Sequence, residues 1–253
     1  MNTNSIVNTL LIAGAVTLAM PAQAVPLDQG TWKSTLQARD LDGINGIDAF
    51  YDTVLKITWL DVNQGTMDWN TAKTKFNGND AGGYTFGGYD DWRLPTIVDT
   101  FTAPKTSDDG CNWSNSGTDC GYNVQTTSGN AVYSEMASLF YNTLGNKGYL
   151  SSTGVNQSDF GLKNTGNFNS VQSDFYWSGT EYAPNPNVAW LFYTGYGFQN
   201  ADTKYDQFYA LAVRPGDVAA ASVPEPETLL LAFTALAGLG FVRRRQTVGA
   251  LAI

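Results

Sequence analysis

Thr228–Val242 is a run of fifteen uncharged, mostly apolar residues that ends on Arg243-Arg244-Arg245. A membrane-spanning helix needs ~20 apolar residues, so this run is at the short end of what can span. Arginines that stop such a run stay on the cytoplasmic side. Everything before the run then faces the other way. The N-terminus agrees. Residues 1–24 hold an apolar stretch, Ile6–Met20, followed by Pro21 and Ala22-Gln23-Ala24. That stretch is too short to span comfortably, and its small-x-small ending suits signal peptidase. Two independent segments therefore predict that residues 25–218 fold outside the cytoplasm, with 219–222 as a linker. The apolar C-terminal run is expected to form a transient helix in the inner membrane.

Pro224-Glu225-Pro226 lies just ahead of the run. Each proline fixes φ and disfavours helix in the residue before it, so the triplet is a stiff, extended stretch of the form a protease needs. Together, Pro224, Glu225, Pro226, the apolar run and Arg243, Arg244, Arg245 resemble the PEP-CTERM sorting signal, here 223–245 with a short tail, 246–253. The resemblance implies an exosortase-type processing enzyme as partner. It also implies a precursor held in the inner membrane, then delivered to periplasm, cell surface or extracellular matrix.

The body is acidic. Removing three arginines and two glutamates of the tail from the chain's net charge of −9 leaves −10. Such a field repels nucleic acid and sulfated polyanions, while a neutral glycan is easier to accommodate. About 200 residues suffice for one domain with a real core. The two cysteines, Cys111 and Cys120, bracket a Gly/Asn/Ser-rich loop. In an oxidising compartment they are expected to form one disulfide.

There is no histidine. That removes Ser-His-Asp, Cys-His and zinc-His chemistry and most general bases working at neutral pH. Carboxylates are abundant, but no pair can be placed about a cleft. No catalytic residue, cofactor or metal is assigned, and the chain reads as non-catalytic. Asp40–Asp48 is rich in oxygen ligands, yet Ile44 and Asn45 occupy the fifth and sixth places, where a calcium loop needs a ligand and a glycine. A solvated turn is the expectation.

Gly, Asn, Asp, Ser and Thr punctuate the body and predict many turns. Asp52–Asp61 reads as one strand. Asp68–Phe76 reads as a helix with Asp68 as N-cap, and Ser134–Leu144 as a helix stopped by Gly145. Thr96–Asp99 looks like the capped start of a short helix. Phe175–Ser178, Ala189–Tyr193 and Phe208–Val213 read as strands. The order suggests an α+β domain, loop-rich, with short antiparallel strands and two or three short helices.

Arg93 alternates with Trp92 and Leu94 in an extended piece. A buried guanidinium needs a carboxylate, and Glu181 is the expected partner with Asp91 as rival. Trp177, Tyr182, Trp190, Tyr193 and Tyr196 cluster in the C-terminal half. Trp177 and Trp190 alternate as core strand residues do. Tyr182 and Tyr196 sit beside Pro/Asn/Gly turns and are expected to be exposed, where an aromatic face can stack on a sugar ring. Arg93, Glu181, Tyr182 and Tyr196 are the candidate ligand-binding residues, with extracellular glycan as the candidate partner.

Five ordered blocks carry a further resemblance: Trp69–Ala72, GGYDDWRLPT (Gly87–Thr96), YWSGTEY, Ala189-Trp190 and YALAVRPG (Tyr209–Gly216). Together they resemble the Lcl C-terminal domain family over roughly Phe50 to Gly216. The resemblance implies a C-type-lectin-like fold with variable binding loops, and a role in adhesion or biofilm. Family adhesins bind glycans, sulfated ones included; the acidic body here departs from that. The Glu-Pro-Asn calcium motif of sugar-binding C-type lectins is also missing, since Ala183 precedes Pro184-Asn185.

Overall fold

The computed structural model describes residues 30–44, 46–78, 82–100, 115 and 119–218. The first half contains helix α1 (Trp32–Thr35), strands β1 (Leu36–Arg39), β2 (Ala49–Asp52), β3 (Ile57–Leu60) and β4 (Thr66–Met67), and helix α2 (Trp69–Lys75). Next come β5 (Gly121–Tyr122), β6 (Thr127–Ser128), β7 (Ala131–Val132), helix α3 (Glu135–Ala137) and a π-helix over Ser138–Thr143. The chain closes with β8 (Phe175–Glu181), β9 (Val188–Tyr193), β10 (Phe198–Thr203), β11 (Phe208–Tyr209) and β12 (Val213–Pro215). This is an α+β fold. The signal and sorting segments lie outside the described residues, among which no helix is long and apolar enough to cross a membrane.

Two main sheets carry the fold, one of four strands in the order β1-β2-β3-β12 and one of six in the order β4-β11-β8-β9-β10-β5, and β6 and β7 pair as a separate two-stranded ribbon. Pairing is antiparallel throughout except between β8 and β11. The expected single strand Phe208–Val213 is really a crossing between the sheets. β11 ends in the larger sheet, and β12 begins in the smaller after Ala210-Leu211-Ala212. Along that crossing the side chains alternate between two cores. Ala210 and Ala212 join Trp69, Trp92 and Trp177, whereas Leu211 and Val213 join Trp59, Met136 and Phe140. A period of two with both faces covered explains why these residues are apolar throughout.

The expected strand Asp52–Asp61 is broken by a turn. The Asp52 carboxylate accepts from the backbone N–H of Val54 at 2.9 Å and of Leu55 at 3.0 Å, and Lys56 adopts φ 60°. An aspartate that captures its own downstream amides builds a turn, and this outweighs the β propensity of Thr53 and Val54. The segment is thus the β2–β3 hairpin.

Helix α2 forms as read, with Asp68 accepting from Thr71 N–H at 3.0 Å. The segment after Ser134 is helical too, capped by Ser134 on Ala137 N–H at 3.1 Å and followed by Gly145 at φ 70°. Its second half is a π-helix, with Leu144 N–H bonding five residues back to Leu139 at 2.8 Å. No helix starts at Thr96. Ile97 bridges Ser134, and the Thr180 hydroxyl accepts from Ile97 N–H at 3.1 Å and donates to Ile97 C=O at 2.9 Å. With those groups occupied by distant partners, the segment stays extended after Pro95.

Candidate binding site

Arg93 does not meet Glu181. It forms a two-pronged pair with Glu135, both N···O distances 2.7 Å, and donates to Leu94 C=O at 3.0 Å. Glu135 also accepts from Thr96 N–H at 2.7 Å. The correction has a topological cause. Arg93 is laced between Asn77 and Val213 by isolated bridges, under the start of α3. Glu181, at the far end of β8, bonds instead to Lys204, whose ammonium lies 4.3 Å from the Trp69 ring centre. Asp91, the rival partner, takes Arg214 at 2.6 and 3.0 Å. All three pairs join segments distant in the chain; Arg93 and Glu135 are largely shielded in the frame, whereas the Glu181 side chain is half exposed.

Tyr182 is also corrected. It is 2% exposed and packs edge-on to Trp190, ring centres 5.2 Å apart, in a small core with Ile97, Cys120 and Val188. Its N–H bonds to Val188 C=O at 3.1 Å, so Ala183–Asn187 forms the hairpin tip and the ring folds beneath it. Trp177 and Trp190 are fully buried, as their alternation predicts.

Tyr196 is 40% exposed and stands in the β9–β10 turn, Thr194-Gly195-Tyr196-Gly197-Phe198. Both flanking glycines are required. A Cβ on Gly195 would run into the Tyr193 ring at 2.7 Å, and one on Gly197, at φ 68°, into Phe140 at 2.6 Å. Space for those two rings is what lifts Tyr196 outward.

Tyr196 caps a row of side chains that no single segment announces. Strand register aligns Met67, Phe208, Phe175, Tyr193, Phe198 and Tyr122 across all six strands on one face. Met67 and Phe198 are buried and the others half-buried. Phe175 and Tyr193 stack at 3.9 Å with 8° between their planes, and Tyr193 and Tyr196 at 5.4 Å with 24°. Phe160 and Tyr149 then close on Tyr196 at 5.1 and 5.7 Å. Inside the row the rings cover each other's faces, and Tyr196 is its exposed end. Burial, helped by neighbouring phenols, raises the pKa of Tyr122 and Tyr193 above the usual tyrosine range; the Asp174 carboxylate adds to the rise at Tyr193.

Beside that end lies a hollow of 180 Å³ lined by Asp159, Phe160, Leu162, Lys163, Ser173 and Gly195. It adjoins a second, of 160 Å³, which shares Asp159 and Lys163 and adds Gly145, Asn146, Lys147 and Asn164. The floor is stiff. Asn146 holds Lys163 N–H at 2.9 Å and Asn164 N–H and C=O at 2.8 Å each. Asp159 has φ 58°, a left-handed backbone uncommon for a residue other than glycine. Sequence reasoning missed Asp159 and Lys163, since single charges in a Ser/Asn/Gly loop carry no spacing signal.

The remaining expectations have separate outcomes. The Asp40, Asp42 and Asp48 carboxylates approach within 4.8 Å. They accept from Gly43, Ile44 and Leu41 N–H at 2.7, 2.8 and 2.8 Å, the bonding of a turn. Cys120 is buried, while Cys111 and the sorting residues Pro224, Glu225, Pro226, Arg243, Arg244 and Arg245 lie outside the described residues.

The C-terminal sorting motif marks an exported protein sorted to the surface. The chain belongs to the Lcl C-terminal domain family, whose model matches residues 48–214. Residues 222–245 match the PEP-CTERM protein-sorting motif, the motif an exosortase recognises. Neither a curated protein nor a solved structure matches the chain.

Proposed function

We propose that the protein is a non-catalytic binding module that contacts an extracellular glycan or matrix component after surface sorting, with a role in adhesion or biofilm. The observation that carries this reading is the aromatic row ending on Tyr196. An exposed aromatic end beside polar groups is cheap to stack on a sugar and needs no charge. The buried carboxylates support a non-catalytic role. Asp52, Asp61, Asp119 and Glu135 are engaged by backbone N–H groups, by hydroxyls or by Arg93, and are spent on holding loops. A C-type-lectin-like arrangement, which displays loops from a small sheet, fits the placement of the site on the β9–β10 turn and the loop around residue 160. A Cys111–Cys120 disulfide, closing a short loop in an oxidising compartment, completes the proposal.

The test is a glycan array probed with the full chain in mild detergent. Selective binding to a glycan class supports the reading. A blank array with folded protein overturns it in favour of a structural matrix protein without a discrete ligand. Turnover of any bound polysaccharide overturns the non-catalytic part.

A further inference from the structure

The corner between Phe160, Gly195 and Tyr196 has a chemistry of its own. The hollow there holds one carboxylate, Asp159, and one ammonium-bearing side chain, Lys163. A carboxylate accepts hydrogen bonds from two hydroxyls, while an ammonium donates to oxygen. The exposed part of an aromatic face, such as that of Tyr196, receives the C–H face of a saturated ring. A single group satisfies all three at once: a sugar ring with adjacent hydroxyls.

Charge narrows the choice. Asp159 and Lys163 cancel, Lys147 of the adjoining hollow adds one positive charge, and the body as a whole carries a large negative excess. A polyanionic chain would approach against that field. A cationic ligand or a divalent ion would meet Lys163. Size narrows it again. At 160 and 180 Å³ the two adjoining hollows each fall below the ~300–1,000 Å³ of sites that engulf a ligand. They suit one or two rings of a chain lying across the surface. Asp159 has a left-handed backbone, which aspartate tolerates in turns, and it directly precedes Phe160, which packs on Tyr149 and Tyr196.

We propose that this corner is the binding site for a neutral hexopyranose unit with adjacent hydroxyls, held by Asp159 and Lys163 and stacked on Tyr196, without a calcium ion. The proposal rests on the glycan-binding reading and specifies its ligand class.

The experiment is affinity electrophoresis of the full chain in gels containing dextran, mannan or galactan as neutral probes, and alginate or dextran sulfate as anionic ones. Retardation is expected in a neutral gel and is unchanged by a chelator. Tyr196→Ala and Asp159→Asn each weaken it at least tenfold, whereas Tyr196→Phe retains it. Asparagine tolerates the left-handed backbone, so Asp159→Asn tests the charge with the loop conformation kept, and an unchanged melting temperature verifies folding. Retardation by anionic probes alone overturns the ligand class and leaves the glycan reading standing. Neutral binding indifferent to both substitutions overturns the site and likewise leaves that reading. Retardation by no probe overturns the proposal, and a blank array would then remove the broader reading as well.

Discussion

Two regions of this domain use polar groups in opposite ways. Around Arg93 the charges are paired, multiply bonded and shielded: Glu135 meets both Arg93 nitrogens and also Thr96 N–H. Around Tyr196 the rings are only half covered, and Asp159 and Lys163 stand at the rim of open hollows. The first arrangement spends its bonds on the fold, and the second leaves bonds available. The most conspicuous charge in the sequence therefore belongs to the frame, and the proposed recognition surface belongs to residues of ordinary appearance.

The contrast should be broken most easily at the frame. Glu135→Ala leaves a largely shielded guanidinium without its carboxylate. Removing one partner of a buried pair costs ~3–5 kcal/mol, which for a domain of this size lowers Tm by roughly 6–20 °C at ~2–4 °C per kcal/mol. Thermal unfolding followed by circular dichroism measures it. Trp177→Ala should cost a similar amount through the cavity it leaves between Met67 and Phe208. A loss below ~1 kcal/mol in either variant would remove the distinction between frame and site.

Alkaline pH sharpens the same comparison. Burial raises the pKa values of Tyr141 and Tyr176 well above the usual phenol range. For an acid whose folded pKa is raised, the stabilisation is fully present below the unfolded value, about 10, and is lost as pH rises through the folded value. Phenolate absorbance should therefore show a late stage, from Tyr141 and Tyr176, that coincides with unfolding. A single early stage accounting for every tyrosine would contradict the burial of the frame.

The smallest effect is expected at acid pH. Hydrogen bonding from Arg39 holds the Asp217 carboxyl below the usual carboxylate range. Its contribution is present above the unfolded carboxylate pKa, ~3.9, and is lost as pH falls through the folded value. The pair is partly exposed, so the loss is ~0–1 kcal/mol and shrinks with salt. Denaturant melts of Asp217→Asn and the parent at neutral and acid pH would reveal it: the difference should shrink as the parent's Asp217 carboxyl becomes protonated.

Local chemistry was legible and long-range partnership was not. Asp68 capping α2, Gly145 ending the helical segment and the alternation that buries Trp177 and Trp190 are decided within a few residues of chain. The partner of Arg93 is decided by where β12 and α3 pack, forty residues and more away, so neither the adjacent region's Asp91 nor the distant Glu181 is its partner. Tyr182 and Tyr196 looked alike beside their turns. The difference lay in a backbone bond to Val188 for one, and in two crowded glycines for the other. The row from Met67 to Tyr122 depends on six strands coming into register, which no single segment encodes.

The most direct test sets Tyr196→Ala beside Glu135→Ala in one titration against the glycan that the array selects, with a melting curve for each. The account predicts that Tyr196→Ala keeps the parent's melting temperature within about 2 °C, as for a surface substitution, and loses binding at least tenfold, while Glu135→Ala melts early. Undiminished binding by a folded Tyr196→Ala protein would contradict it.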